Sequence, residues 1–162
     1  MPWIQNTSLA DVRKGTHFLP GPNAMLIQIV DPCMEFPHPK YEFQEVHQFE
    51  FLDLERDDLP GAEEFKVTEA QAAELVQLLQ RALQQNMNVV VHCVAGICRS
   101  GAVCEIGVMM GFQDPEVYRC PNLLVKHKMM QQLGWTYDAD EPHRPQYLGF
   151  ADAYPNLRTK YD

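Results

Sequence analysis

The sequence predicts a single α/β domain, residues 1–162, with a mainly parallel central sheet flanked by helices. Three observations carry this expectation. The length of 162 residues suits one domain. Two short apolar runs, residues 24–30 and 89–91, have the length and composition of buried strands. Between and after them lie segments with helical periodicity, and strands that alternate with helices form parallel sheets.

Taken in order, residues 24–30 (AMLIQIV) form an apolar run closed by Asp31-Pro32, which reads as a buried strand ending at a turn. Residues 31–40 carry three prolines and form a loop. Residues 45–54 alternate weakly and read as a second strand. The acidic stretch 55–61, which ends Leu-Pro-Gly, is an exposed connection. Thr68 and Gln71 make a capping-box pair, and Ala72, Leu75, Val76, Leu79 and Leu83 share one helical face. Asn86 and Asn88 close that helix. Val89, Val90 and Val91 form an uninterrupted β-branched run, as in a central strand covered on both faces. A loop then leads to Arg99 and to a helix from about Ser100 to Met110, stopped by Gly111. Asp114-Pro115 has the form of a short helix start, and Pro121 opens a further helix that Gly134 closes. The remainder, with Pro142, Pro145 and Pro155, is irregular.

The composition narrows the function. The formal charge of −9 opposes nucleic-acid and anionic-membrane partners, which need a basic face. No apolar run reaches the roughly 18 residues of a membrane span, and residues 102–112 are interrupted by Glu105. The first fifteen residues lack the pattern of a secretory signal. Five cysteines, an odd number without regular spacing, fit free thiols in a reducing compartment, so a cytoplasmic location is expected. The histidines and cysteines form no ligand pattern, so no metal site is expected. Lys126, His127 and Lys128 read as a solvated helix face, and Met109, Met110, Met129 and Met130 as core filler.

The chemistry lies in HCVAGICRS, residues 92–100. A buried strand ends at Cys93, and after five residues the chain reaches Arg99 and starts a helix. The amides of Val94, Ala95, Gly96, Ile97, Cys98 and Arg99, with the helix N-terminus, form a nest for a tetrahedral oxyanion. Gly96 permits a turn that residues with a Cβ resist. The Arg99 fork can hold two phosphate oxygens. The same field favours thiolate at Cys93, since such settings lower a cysteine pKa to roughly 3.5–7.5. Nucleophile and electrophile site are therefore one loop. Ser100 is placed to hydrogen-bond the sulfur, and His92 reads as a loop-ordering residue.

This signature resembles that of the protein tyrosine phosphatase superfamily: His-Cys, five residues, then Arg and Ser or Thr. The Ala-Gly-Ile within it is most similar to the dual-specificity branch, as is Arg119-Cys120-Pro121-Asn122 ahead of a helix. Cys98, where that branch usually has serine, is similar to the second loop cysteine of the low-molecular-weight phosphatases. The resemblance implies the cysteine-phosphatase fold and hydrolysis of phosphorylated protein or peptide substrates through a phosphocysteine, with no metal or organic cofactor. It also implies an aspartate general acid on the loop before the signature-preceding helix. Asp53, Asp57 and Asp58 lie there, and Asp57 best fits a loop acid.

Two other readings stay open: a phosphate-binding module without turnover, and an arsenate-reducing or sulfur-transfer enzyme. For Cys98, capture of oxidised Cys93 as a disulfide stands beside simple packing in place of serine, with Cys104 as competitor. Cys33 and Cys120 read as ordinary thiols.

Overall fold

A computed structural model describes residues 1–55, 61 and 64–135 of the chain. Its elements run β1 (Ile4–Ser8), α1 (Leu9–Lys14), β2 (Ala24–Val30), β3 (Glu45–Glu50), α2 (Glu69–Gln84), β4 (Asn88–Cys93), α3 (Arg99–Met110) and α4 (Leu123–Gln132). The four strands form one parallel sheet in the order β1-β4-β2-β3. This is the α/β architecture that the alternation of apolar runs and amphipathic segments predicts.

β4 lies inside the sheet, with β1 on one side and β2 on the other. Val89 and Val91 face the main core with α2, α3 and α4, whereas Val90 faces a second cluster with Val12, Phe18 and Leu26. That double burial is why the strand carries no polar alternation until its end. β3 is the outer strand beside β2, and its alternating half-exposed pattern reflects cover on one face only.

α2 forms as its caps dictate. Gln71 N–H donates to Thr68 Oγ1 (3.0 Å), and Thr68 N–H donates to Gln71 Oε1 (2.9 Å). Ala72, Leu75, Val76 and Leu79 are buried as expected, with Leu78 and Ala82 beside them; Leu83 is only partly buried. Met129 and Met130 are core residues, whereas Met109 is exposed.

Several expectations needed correction. The strand read over residues 45–54 stops at Glu50, and residues 51–55 leave the sheet. β1 and α1 give no strong sequence signal; α1 is a six-residue helix capped by the Ser8 hydroxyl. Asp114-Pro115 starts no helix. The Asp114 carboxylate accepts the Glu116 N–H (2.8 Å), and Glu116 sits at φ 62°, so the chain turns instead. Lys126 and Lys128 are buried rather than solvated. Lys126 Nζ lies 3.4 Å from Glu105 of α3, which also meets Arg119 at 3.3 Å. α4 thus packs against α3 through an ionic cluster as well as through methionines. No helix among the described residues is long and apolar enough to cross a membrane.

Candidate active site

In open parallel sheets, ligands bind beyond the carboxyl ends of the strands. Here that edge gathers the turn after β2, the loop after β3 and the 93–99 loop after β4. Cys93 is the last residue of β4, 2% exposed, and Arg99 is the first residue of α3. Gly96 N–H donates to Cys93 Sγ at 3.3 Å, and Ser100 Oγ lies 3.2 Å from the same sulfur. The loop therefore curls around the thiol, with one amide and one hydroxyl directed at it.

Gly96 makes that curl possible. Its φ is +79°, and a Cβ there would lie 2.4 Å from the Thr7 carbonyl carbon and 2.5 Å from Ser8 N. The opposing wall is β1. Asn6, buried, donates from Nδ2 to Gly96 O (2.8 Å) and Tyr118 O (2.9 Å), and Leu9 N–H donates to Val94 O (3.3 Å). The N-terminal strand is thus the outer brace of the loop.

Arg99 is 5% exposed. Its Nη1 donates to Asp31 Oδ1 and to Phe51 O, both at 2.7 Å. Those contacts fix the guanidinium plane from the ends of β2 and β3. Nε is buried without a partner among the described residues. Burying a donor without a partner is costly, and an oxyanion in the loop would satisfy it. Asp31, read from sequence as the start of a loop, is in fact the carboxylate that orients the guanidinium.

His92 is fully buried, with Nδ1 3.4 Å from Cys93 O and Nε2 unpartnered among the described residues. Burial, reinforced by the Arg99 charge, pushes its pKa down to about 4, so the ring is neutral at physiological pH. A neutral, buried imidazole against the strand end fits an ordering residue rather than a base.

On the far side, Asn122 joins three segments. Its backbone N–H donates to Cys98 O (2.9 Å), and its Oδ1 accepts from Val125 N–H (3.0 Å), capping α4. Its Nδ2 donates to Asp53 Oδ1 (2.6 Å) and Leu54 O (3.2 Å). Glu55 Oε1 accepts the Leu123 N–H at 3.2 Å. Asp53 is therefore tied to the helix start. Asp57 and Asp58 lie outside the described residues.

The Cys98 thiol is hydrogen-bonded to Cys120, and that bond together with burial pushes its pKa up. Cys104 is fully buried inside α3, and burial pushes its thiol up as well. The structure brings together Cys93, Gly96, Arg99 and Ser100, as the motif requires. It adds Asn6, Asp31 and Asn122. Of these, Asp31 could have been flagged by an acid-proline pair at the end of a buried strand, whereas Asn122 stands in the Arg119-Cys120-Pro121-Asn122 segment that already carried part of the family resemblance, without a site role assigned to it. Asn6 had no local signal.

The protein-tyrosine phosphatase family model matches residues 33–133. The chain belongs to the protein-tyrosine phosphatase family. This bears out the family resemblance carried by the HCVAGICRS loop. Among solved structures, the fold is similar to that of the human tyrosine phosphatase-like serine/threonine/tyrosine-interacting protein. The TM-score is 0.55 at 17% identity, over 83% of this chain and 93% of that one. OH1 from the Orf virus, described as a tyrosine phosphatase with triple substrate specificity, matches with TM-score 0.44 and 17% identity, over 98% of this chain and 72% of that one. No curated protein sequence matches the chain.

Proposed function

We propose that this phosphatase-family domain hydrolyses phosphomonoesters on phosphorylated protein side chains, phosphotyrosine and with it phosphoserine and phosphothreonine, through a phosphocysteine on Cys93. The observation that carries the reading is the sulfur of Cys93 within 3.3 Å of the Gly96 N–H and 3.2 Å of the Ser100 hydroxyl. That sulfur sits in a loop whose only charged side chain is the buried Arg99.

The steps follow from that arrangement. The Cys93 sulfur attacks phosphorus, forming an S–P bond as the ester P–O bond breaks. The amides of residues 94–99 and Arg99 Nε stabilise the equatorial oxygens, whose charge grows in the transition state. An aspartate of the loop after β3, Asp57 on its sequence position, protonates the leaving oxygen. Asp53, already bonded to Asn122, is assigned a tethering task. Water then attacks the phosphocysteine, with the same aspartate taking its proton, while Ser100 hydrogen-bonds the departing sulfur. His92 keeps the loop ordered. Five free cysteines suit a reducing, cytoplasmic setting.

The test is hydrolysis of para-nitrophenyl phosphate and of a phosphotyrosine peptide by wild type and Cys93→Ser. The variant should lose turnover while still binding vanadate, because the amides and Arg99 remain. Residual turnover within about tenfold of wild type, a barrier change near 1.4 kcal/mol, would remove Cys93 from the nucleophile's role.

A further inference from the structure

The segments that hold the phosphate loop also carry carboxylates. Glu50 directly precedes Phe51, whose carbonyl accepts from Arg99 Nη1 at 2.7 Å. Glu50 Oε1 accepts the Cys33 N–H at 3.1 Å, which seats its carboxylate beside the turn after β2. Asn122, whose N–H donates to Cys98 O at 2.9 Å, holds Asp53 Oδ1 at 2.6 Å. Leu123, next to Asn122, donates its N–H to Glu55 Oε1 at 3.2 Å. Glu50, Asp53 and Glu55 are all exposed. The donors that seat them are two backbone amides and one side-chain amide. All three are neutral, so none of these charges is cancelled by its partner. Asp31 differs, because it faces the Arg99 guanidinium at 2.7 Å. The nearby cation, Lys66, follows Phe65, whose carbonyl accepts the Leu52 N–H at 2.7 Å, and is engaged in interactions of its own.

The centre of this edge calls for an anion independently of the acids. Arg99 is 5% exposed, and its Nε is buried without a partner among the described residues. A phosphate group that satisfies it brings roughly two negative charges into a setting whose rim is already negative. We propose that Glu50, Asp53 and Glu55 form an anionic rim that selects phosphorylated peptides with lysine or arginine beside the phosphorylated residue. The rim deepens the hydrolase reading above, on which it rests, by naming the flanks of the substrate.

An extended peptide advances about 3.3 Å per residue, so the first few residues on either side of the phosphorylated one lie roughly 3–10 Å along the chain from it. Exposed charges act over that span at physiological salt, where the Debye length is about 8 Å. A cationic flank offsets the repulsion between rim and phosphate and adds attraction. An acidic flank, or a carrier with several phosphates, adds to the repulsion. Selectivity is the difference between the two, with the repulsive part acting against the wrong class. Each exposed pair is worth only a fewfold, so the effect is collective. The seating bonds matter for the same reason, because they fix the carboxylates in place.

The experiment gives the full chain three phosphotyrosine peptides of equal length, with lysine, serine or glutamate flanking the phosphotyrosine on both sides. At low salt kcat/KM should fall about tenfold or more from the lysine to the glutamate peptide, through KM rather than kcat. The ratio should shrink in about 0.5 M salt. The double variant Glu50→Gln/Glu55→Gln keeps both seating acceptors. It should cut the ratio to about threefold or less and leave turnover of para-nitrophenyl phosphate unchanged. Glu42→Gln removes an exposed charge at the opposite end of the sheet, near Gln44, whose N–H donates to Ala24 O at 3.0 Å, and should leave the ratio as it is. Binding of the same peptides to Cys93→Ser, read by fluorescence anisotropy, should follow the same order. That arm separates two failures. Binding in this order without turnover by wild type would refute the hydrolase reading and leave the rim standing. Equal use of the three peptides, a ratio that survives the double substitution, a ratio that Glu42→Gln lowers as much, or no binding of any peptide to Cys93→Ser would overturn the rim.

Discussion

Replacing Asn122 by alanine should loosen the loop after β3 from the phosphate loop, and the size of the effect follows from its contacts. Asn122 is fully buried. The substitution keeps its backbone N–H bond to Cys98 O but removes three side-chain contacts. Loss of the cap on Val125 N–H costs about 1 kcal/mol. Loss of the donations to Asp53 and Leu54 costs about 1–2 kcal/mol, at the low end because Asp53 is exposed and regains water. The sum, about 2–3 kcal/mol, would lower a urea midpoint by about 1–1.5 M for a slope near 2 kcal/mol per M.

The kinetic signature is separate from the stability change. Asp31 and Asn6 hold the phosphate loop independently of Asn122, so an activated ester should lose only a fewfold in kcat. A phosphotyrosine peptide, which needs its leaving oxygen protonated, should lose tenfold or more, within the roughly 10²–10⁴ that general acid help is worth. Asn122→Asp retains a capping oxygen but sets a second carboxylate against Asp53. It should recover part of the stability while keeping the leaving-group contrast. A midpoint change equivalent to less than about 0.5 kcal/mol, or an equal loss on both esters, would refute this account.

Three further outcomes are expected. Gly96→Ala should abolish turnover and destabilise the fold by more than the roughly 1–3 kcal/mol of a strained backbone, because the new Cβ meets the Thr7 carbonyl carbon at 2.4 Å as well as a φ of +79°; anion titration and thermal melting check it. Asp31→Asn should raise KM for the activated ester about tenfold, since the guanidinium loses its charged anchor at 2.7 Å; an unchanged KM would show that Phe51 O alone orients it. His92 has a folded pKa of about 4 against an ordinary 6.5, so the stability it confers is complete above pH 6.5 and is lost as pH falls toward 4. Between pH 7 and pH 5 the loss should be about 2 kcal/mol, absent in His92→Asn, measured as the difference between their urea curves at each pH.

What was legible in the sequence depended on whether the signal was local. Thr68 and Gln71 announce a helix because both capping bonds close within four residues. Val89, Val90 and Val91 announce a buried strand because each side chain meets apolar cover on its own face. HCVAGICRS is legible because anion loops are built from consecutive amides, and Cys93, Gly96, Arg99 and Ser100 must therefore be near neighbours in sequence.

The supports of that loop are legible only in three dimensions. Asn6 reaches Gly96 from 90 positions away, and Asp31 reaches Arg99 from 68. Nothing in the local composition of β1, IQNTS, separates it from a polar turn, because its strand character comes from pairing with β4. The same reasoning explains the misreading of Lys126, which looks solvated in a Lys-His-Lys run until a buried carboxylate, Glu105 on α3, is known to lie 3.4 Å from its Nζ. Cys120, 22 residues after Cys98, likewise comes alongside the phosphate loop only because the chain after α3 returns to hydrogen-bond Ile97 and Cys98. For this protein, then, the chemistry is written in one nonapeptide, and the rigidity that makes the chemistry usable is supplied by residues whose roles exist only once the parallel sheet has brought its carboxyl ends together.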